Sequence, residues 1–413
     1  MSSPFESVIC HSREPTFMWI NPAVKQFELW PGPQGYPWAD TGIRLWTREG
    51  ILRRVAPNHL ICTWTTGGFS EPTNGNFTMI STSHDNGQTW SKPDVLFRHT
   101  HRGLFTTELF IPRPGEIHAF LQTYALGTWM TQLHSYRAIS RDGGQTWQGP
   151  NSIPGGIHNV WVNQGIVHSS GRWIIPVSWA EHIGDEWCEP TTGRAPAEPR
   201  VGAQVPFVRE IPHGSDDPLV YRTANTWAHA NHRYVVGLII SDDNGATFER
   251  RGYLCQDAPT NHFFEPKIVE LSDGSITLLA RELEDGWLWQ SRSADRGETW
   301  SPIQRSEIPN PSSKVKLLRA SDGRIFLLHN PSGNQQKHNN PNNPLKWGRR
   351  NPLSLWVSDD DMQTWRVQID LVSDPERNLN YPDGFLDEEA NEVAFAWEDG
   401  HTVYITRVSM DIE

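Results

Sequence analysis

Apolar and polar residues alternate along much of the chain with a period of two. Asn76-Phe-Thr-Met-Ile-Ser-Thr82 and Leu353-Ser-Leu-Trp-Val-Ser358 are examples, and this pattern predicts half-buried β-strands. Pairs of such runs are joined by Asp-Gly turns, as in Ile268–Ala280 and Val315–Leu328. Each pair reads as a hairpin, because Asp bonds nearby backbone N–H groups and Gly accepts a positive φ. A second hairpin follows each one. Its turn is a motif that returns five times, Ser-x-Asp-x-Gly-x-Thr-aromatic, at Ser83–Trp90, Ser140–Trp147, Ser241–Phe248, Ser293–Trp300 and Ser358–Trp365. The fifth copy has Met362 in place of the glycine. The copies start 57, 101, 52 and 65 residues apart. Repeats on this scale indicate propellers or arrays, and two hairpins make one four-stranded blade.

Three further strands follow at the C-terminus, around Asp383–Glu389, Asn391–Trp397 and Thr402–Val408, without the motif. The segment around Ser7–Cys10 is the expected fourth strand, closing the ring. The prediction is an all-β, six-bladed propeller, with seven blades as the alternative if residues 13–48 form another sheet. Radial closure of this kind leaves only short edges. The chain reads as one domain over residues 1–413, with an inserted loop at about 180–233. That loop carries Asp185, Glu186, Arg222, His229 and His232, and is either a lid over the cleft or a surface excursion.

Composition narrows the function. The net charge of -12 over 413 residues argues against non-specific nucleic-acid binding, but a local arginine cluster can still take an acidic substrate. Cys10, Cys62, Cys188 and Cys255 have no metal-site spacing. Buried thiols are expected, and two disulfides stay open. The start of the chain shows neither a basic n-region nor an apolar h-region, so a signal peptide is expected to be absent or removed. Cytoplasmic and secreted locations both stay open. No apolar run reaches the roughly 18 residues of a membrane span, so no membrane partner is expected.

The five motifs resemble the Asp-box repeats of the sialidase (neuraminidase) superfamily, over roughly residues 45–410. The resemblance implies that the box aspartates are structural. It also implies a site of three arginines that clamp a sugar carboxylate, a tyrosine nucleophile, a glutamate that activates it, and an aspartate acid/base. Phe264-Glu265-Pro266, followed by Leu-Leu-Ala-Arg281, matches the strand pair bearing the glutamate and second arginine. Arg350, leading into the fifth box, matches the third arginine, and Tyr381 in Asn380-Tyr-Pro-Asp383 the nucleophile. Arg48 fits the first arginine best, with Arg44 as the fallback. Asp383, beside the tyrosine, joins the substrate-binding set. The loop Thr66–Asn76 should carry the aspartate but has none, and Glu71 is its candidate replacement.

These positions make chemical sense without the family. Inner-strand starts converge at one end of a propeller axis. Arginine forks there suit a carboxylate, nearby positive charge favours a phenolate, and a neighbouring glutamate can take the phenol's proton. His99 and His101 lead into the second blade, and His158 and Asn159 into the third. They are expected to line the cleft, with His101 able to transfer protons near neutral pH. No metal spacing occurs, so no catalytic metal or cofactor is expected. A structural cation in the channel stays open.

Three functions follow from this reading. The first is an exo-acting, sialidase-like glycoside hydrolase that releases a terminal acidic sugar from an oligosaccharide or polysaccharide. The second is a polysaccharide lyase acting by β-elimination at a uronic acid, for example at a rhamnose-glucuronate linkage. The third is a non-catalytic glycan-binding propeller.

Overall fold

The computed structural model describes residues 18–32, 46–67, 75–99, 102–124, 133–182, 207–208, 232–255, 263–283, 285–333 and 348–412. Six antiparallel sheets form the six blades of a propeller. Their inner strands begin with Thr47–Ala56, Gly103–Arg113, Trp161–Val162, Phe263–Glu270, Lys316–Arg319 and Asn380–Asp387. Among the described residues there is no helix.

The core is laid down between the blades. One apolar cluster joins Leu52, Leu60 and Trp64 of the first blade to Ala394, Ala396 and Ile405 of the sixth. Another joins Phe326, Leu355 and Leu371 of the fifth blade to Val393, Phe395 and Trp397 of the sixth. Each blade is therefore buried on both faces, which explains why many strands read as continuous apolar runs rather than clean alternation.

The repeated motif forms the turn of each outer hairpin. In the first copy Ser83 Oγ donates to Asp85 Oδ1 at 2.8 Å and accepts from Gly87 N at 2.8 Å. Asp85 in turn accepts from the Thr89 N–H and hydroxyl. The same serine–aspartate–threonine closure recurs at Asp142, Asp243, Asp295 and Asp360. These carboxylates are used up in turns remote from the axis. Met362 takes up the glycine's left-handed backbone at φ +67°, a conformation with a steric cost for any residue with a Cβ.

Ring closure differs from the expectation. Ser7–Cys10 lies outside the described residues. The fourth strand of the sixth blade is instead Lys25–Trp30, antiparallel to Val403–Ser409. Trp19–Ile20 adds to the edge of the fifth blade beside Val372 and Ser373. Within 13–48, the described strands before the first blade thus extend two existing sheets and form no seventh one. The insertion leaves from Trp173–His182 and returns at His232–Ser241. Two of its residues, Phe207–Val208, pair with His99 and Arg98 at the outer edge of the first blade. Of the residues noted in it, Asp185, Glu186, Arg222 and His229 lie outside the described residues, as do Cys10 and Cys188. Cys62 and Cys255 are free thiols.

Trp30 links the closing strand to the first blade, its ring 5.5 Å from that of Trp64, and it is buried. Trp30→Ala is expected to lower stability by about 3–5 kcal/mol through loss of this inter-blade packing. Urea denaturation followed by tryptophan fluorescence measures it, and a loss under 1 kcal/mol would mean that the ring does not depend on this strand.

Candidate active site

Three inner strands carry the same irregularity at the same end. Arg48 pairs with Thr65 and Ile51 with Thr63, so one extra residue is inserted. The same one-residue excess separates Phe264 from Lys267 and Asn380 from Asp383. Each bulge holds one residue in the left-handed region: Glu49 at φ +58°, Glu265 at +44° and Tyr381 at +53°. Gly50, Pro266 or Pro382 follows. Bulges re-aim side chains and are found beside active sites, and a proline's missing N–H is tolerated where the ladder is already broken. A left-handed backbone at non-glycine residues costs of order 1–3 kcal/mol each. Here the strain turns Glu265 and Tyr381 into the cluster at the axis.

Three arginines surround the Tyr381 ring. The guanidinium carbons of Arg350, Arg48 and Arg281 lie 4.6, 5.3 and 5.6 Å from its centroid. Arg281 Nη1 donates to the Tyr381 hydroxyl at 3.3 Å. On its other side Arg281 Nε lies 3.0 Å from Glu265 Oε2. Arg281 thus touches both the phenol and the carboxylate. Arg281 stands opposite Phe264 in the register, which places it next to Glu265.

A continuous polar chain holds the arginines in place. Arg48 Nη1 donates to Glu398 Oε1 at 3.1 Å, and Asn380 Nδ2 donates to Glu398 Oε2 at 3.2 Å. Arg350 Nη1 donates to Asn380 Oδ1 at 2.9 Å. The Ser312 carbonyl then accepts from Arg350 Nη2 at 3.0 Å and from Arg281 Nη1 at 2.9 Å. Ser312 is itself left-handed, at φ +59°. Burial, reinforced by the charges of Arg48 and Arg281, lowers the pKa of Arg350. Burial pushes the Glu398 carboxyl up, while Arg48 and its hydrogen bonds pull it back. Like charges gathered in a low-dielectric site favour an incoming anion, and planar forks favour a carboxylate.

Arg48, Arg281, Arg350, Glu265 and Tyr381 therefore meet as expected. Other candidates do not join them. Asp383 lies below the site, fully buried and bonded to Arg53 and to Lys316 Nζ at 3.1 Å. Two residues past Tyr381, where regular pairing resumes, it serves as an interior counter-charge rather than a sugar ligand. His99 ends the outer strand of the first blade, and its Nδ1 accepts from the Arg102 N–H at 3.1 Å. His158 is exposed, and its carbonyl is held by Arg250 of the third blade's outer strand. Asn159 Oδ1 accepts from the Leu133 N–H at 3.1 Å, which turns its side chain to the second blade. Chain order brought these three next to inner strands, but their side chains bond backbone groups, His99 at Arg102, His158 at Gly156 and Asn159 at Leu133 of the second blade's third strand. Arg44, Glu71 and His101 lie outside the described residues.

Sequence reasoning missed Glu398, Asn380, Ser312 and Glu49. Glu398 and Ser312 lack any local signal, since their partners are on other blades. Glu49 was findable, because Glu49-Gly50 repeats the bulge-forming pattern of Glu265-Pro266 and Tyr381-Pro382.

Comparison with known proteins agrees with this fold. Residues 58–394 match the model of the BNR repeat-like domain. The chain belongs to the BNR repeat-like family. This BNR-repeat chain is similar to a sialidase of Vibrio cholerae, at 28% identity over 199 residues, 42% of this chain and 24% of that protein. It thus spans about a quarter of the length of the curated relatives it matches. Among solved structures it resembles a protein of unknown function from Dyadobacter fermentans, with TM-score 0.64 and 14% identity, covering 94% of this chain and 100% of the other. A Hadza microbial sialidase matches with TM-score 0.63 and 15% identity over 89% and 66%. A Trypanosoma rangeli sialidase, solved as a covalent intermediate with 2,3-difluorosialic acid, matches with TM-score 0.60 and 12% identity over 95% and 59%. The BNR-repeat chain is a sialidase-like propeller.

The polar chain is directly testable. Glu398→Ala strips Arg48 of its buried partner, and a loss of about 3 kcal/mol is expected, at the low end for breaking a buried pair because Arg48 keeps some solvent contact. Chemical denaturation reads it. Glu398→Gln, which keeps a hydrogen-bond acceptor, is expected to recover part of the loss.

Proposed function

We propose that this protein is an exo-acting, sialidase-like glycoside hydrolase that releases a terminal carboxylate-bearing sugar from an acidic glycan. The observation that carries this reading is the Arg281 guanidinium, which touches both Tyr381 and Glu265 while Arg48 and Arg350 complete a ring of positive charge around the phenol. A carboxylate taken by the three arginines sets the adjacent anomeric carbon over the Tyr381 oxygen. The Tyr381 oxygen attacks that carbon, and its proton passes to Glu265. The departing glycosidic oxygen takes a proton from an acid, assigned here to Glu71. Its loop starts at Thr66, which is paired with Thr47, next to Arg48. Water then attacks the anomeric carbon and gives its proton to Glu71, the bond to the Tyr381 oxygen breaks as that oxygen takes its proton back from Glu265, and free sugar leaves.

An aryl oxygen can act as nucleophile where a carboxylate would repel the substrate's own charge. The V. cholerae and T. rangeli relatives are sialidases, which makes sialylated glycans the first substrates to try. The elimination reading drew on His99, His101 and His158. His158 is exposed and bonds the Gly156 carbonyl, and His99 Nδ1 accepts from the Arg102 N–H, so hydrolysis is put first on the strength of the arginine–tyrosine–glutamate cluster.

Incubation with sialylated and uronate-containing glycans, read by mass spectrometry, tests the assignment. Sugar release with uptake of one water is expected, whereas an unsaturated sugar would establish elimination and no product at all a binding function. Tyr381→Phe is expected to abolish turnover while leaving substrate binding within about twofold, because the ring and the clamp persist. Glu265→Gln should reduce kcat about 10²–10⁴-fold, the usual contribution of a general base.

Arg350→Lys retains charge but loses the fork. A rise in KM for carboxylate sugars of at least tenfold is expected. An unchanged KM would remove Arg350 from the clamp.

A further inference from the structure

Below the arginine–tyrosine site the axis is filled with charge. Lys267 follows Glu265 by two residues, Lys314 follows Ser312 by two, and Lys316 by four. Arg53, Glu108 and Asp383 come from the first, second and sixth blades. All are buried, and Lys267 is 0% exposed. Their contacts cross the axis. Arg53 bonds to Glu108 at 2.7 Å and also to Asp383. Lys316 donates to Asp383 at 3.1 Å, and Lys314 faces Glu49 at 3.7 Å from across the sixth blade. Lys267, on the fourth blade, feels the charges of Lys314, Asp383, Lys316 and Glu108.

The cluster is unbalanced. Arg53, Lys267, Lys314 and Lys316 are four cations, and Glu49, Glu108 and Asp383 are three carboxylates. Nearby Glu265 and Arg281 balance each other. The ammonium groups of Lys267 and Lys314 reach no hydrogen-bond acceptor in the protein. Lys314 keeps the Glu49 carboxylate, and against burial the charges of Glu49, Glu265, Asp383 and Glu108 raise its pKa. Lys267 has no such ion pair among the described residues, and a buried cation without a partner either sheds its proton or binds an anion. Burial, then the charge of Lys314, hold the Lys267 pKa down to about 7. Burial, then Arg53, hold Lys316 down to about 8.

We propose that the propeller axis binds one small monovalent anion of halide type, held by the ammonium groups of Lys267 and Lys314 beneath the site. One excess charge calls for a monovalent ion, and point-charge ammonium donors suit a spherical one better than the planar oxyanions that arginine forks select. The lining has the wrong sign for the channel cation contemplated from the sequence. Asp383 Oδ2, which also reaches no donor in the protein, calls for a water molecule beside the anion.

Crystals of the full chain grown in bromide, with diffraction measured at the bromine edge, test this independently of any glycosidase activity. An anomalous peak in contact with Lys267 Nζ is expected. Water-like density there, without anomalous signal, would overturn the proposal. In solution, Tm is compared in sodium chloride and in sodium gluconate at equal ionic strength. A higher Tm in chloride is expected, rising with concentration as ligand linkage requires.

The anion binds the protonated amine. Its stabilisation is therefore fully present below about pH 7 and fades as pH rises through the Lys267 pKa. Arg53, Lys314, Lys316, Glu49, Glu108 and Asp383 share that field and shift its midpoint without changing its sign. Lys267→Met should erase the chloride dependence. Persistence of that dependence in Lys267→Met would place the ion elsewhere and overturn the assignment, and if the variant does not fold, the bromide measurement on the wild-type chain decides.

Discussion

Three guanidinium groups held around one phenol ring form the constraint on which the rest of this structure depends. Left alone, Arg48, Arg281 and Arg350 would repel one another and seek water. They stay because Glu398, Asn380 and the Ser312 carbonyl hold them in one hydrogen-bonded chain, and Glu265 faces Arg281 as an ion pair. That chain draws on the first, fourth, fifth and sixth blades, so it exists only when the ring is closed. Closure in turn rests on Lys25–Trp30 and the apolar cluster it seals between the sixth and first blades.

The bulges show how a regular sheet is adapted to this end. An unbroken inner strand alternates its side chains between the two neighbouring blades. One inserted residue breaks that alternation and points Glu265 and Tyr381 along the axis. The backbone strain is sustained because the flanking strands are paired and buried on both faces. Beyond the bulge regular pairing resumes, and side chains such as Lys267 and Asp383 fill the axis below. The site and its charged floor are thus two levels of the same inner strands. In the proposed function a carboxylate substrate answers the repulsion among the arginines above, and in the proposed anion site the surplus charge below takes an anion of its own.

Much of this was legible in the sequence because it is locally encoded. The five Ser-x-Asp-x-Gly-x-Thr turns, the Asp-Gly hairpins and the boxless C-terminal unit fix six blades, since each turn is made by residues within one short stretch. Arg281, Arg350, Glu265 and Tyr381 were recognisable for a related reason: each has a characteristic neighbour, a box downstream or a proline after it. Asp383 shows the limit of that logic. Its place beside Tyr381 in the chain suggested a place beside the sugar, but the bulge ends at Pro382 and sends Asp383 into the axis.

What only the tertiary structure decided is which distant groups meet. The closing strand is Lys25–Trp30 and not Ser7–Cys10, because strand partners are chosen by the edge left open after folding and not by sequence order. His99, His158 and Asn159 precede inner strands in the chain, yet their side chains bond backbone groups of Arg102, Gly156 and Leu133. Glu398 has no motif around it and becomes the anchor of Arg48 only where the sixth blade meets the first, 350 residues apart. By itself the sequence determined the repeat, the blade number and the chemistry available at the strand ends. Ring closure decided the pairing of charges across the axis, because Coulomb and hydrogen-bond energies depend on distance in space, and residues on different blades have none until the last strand is in place.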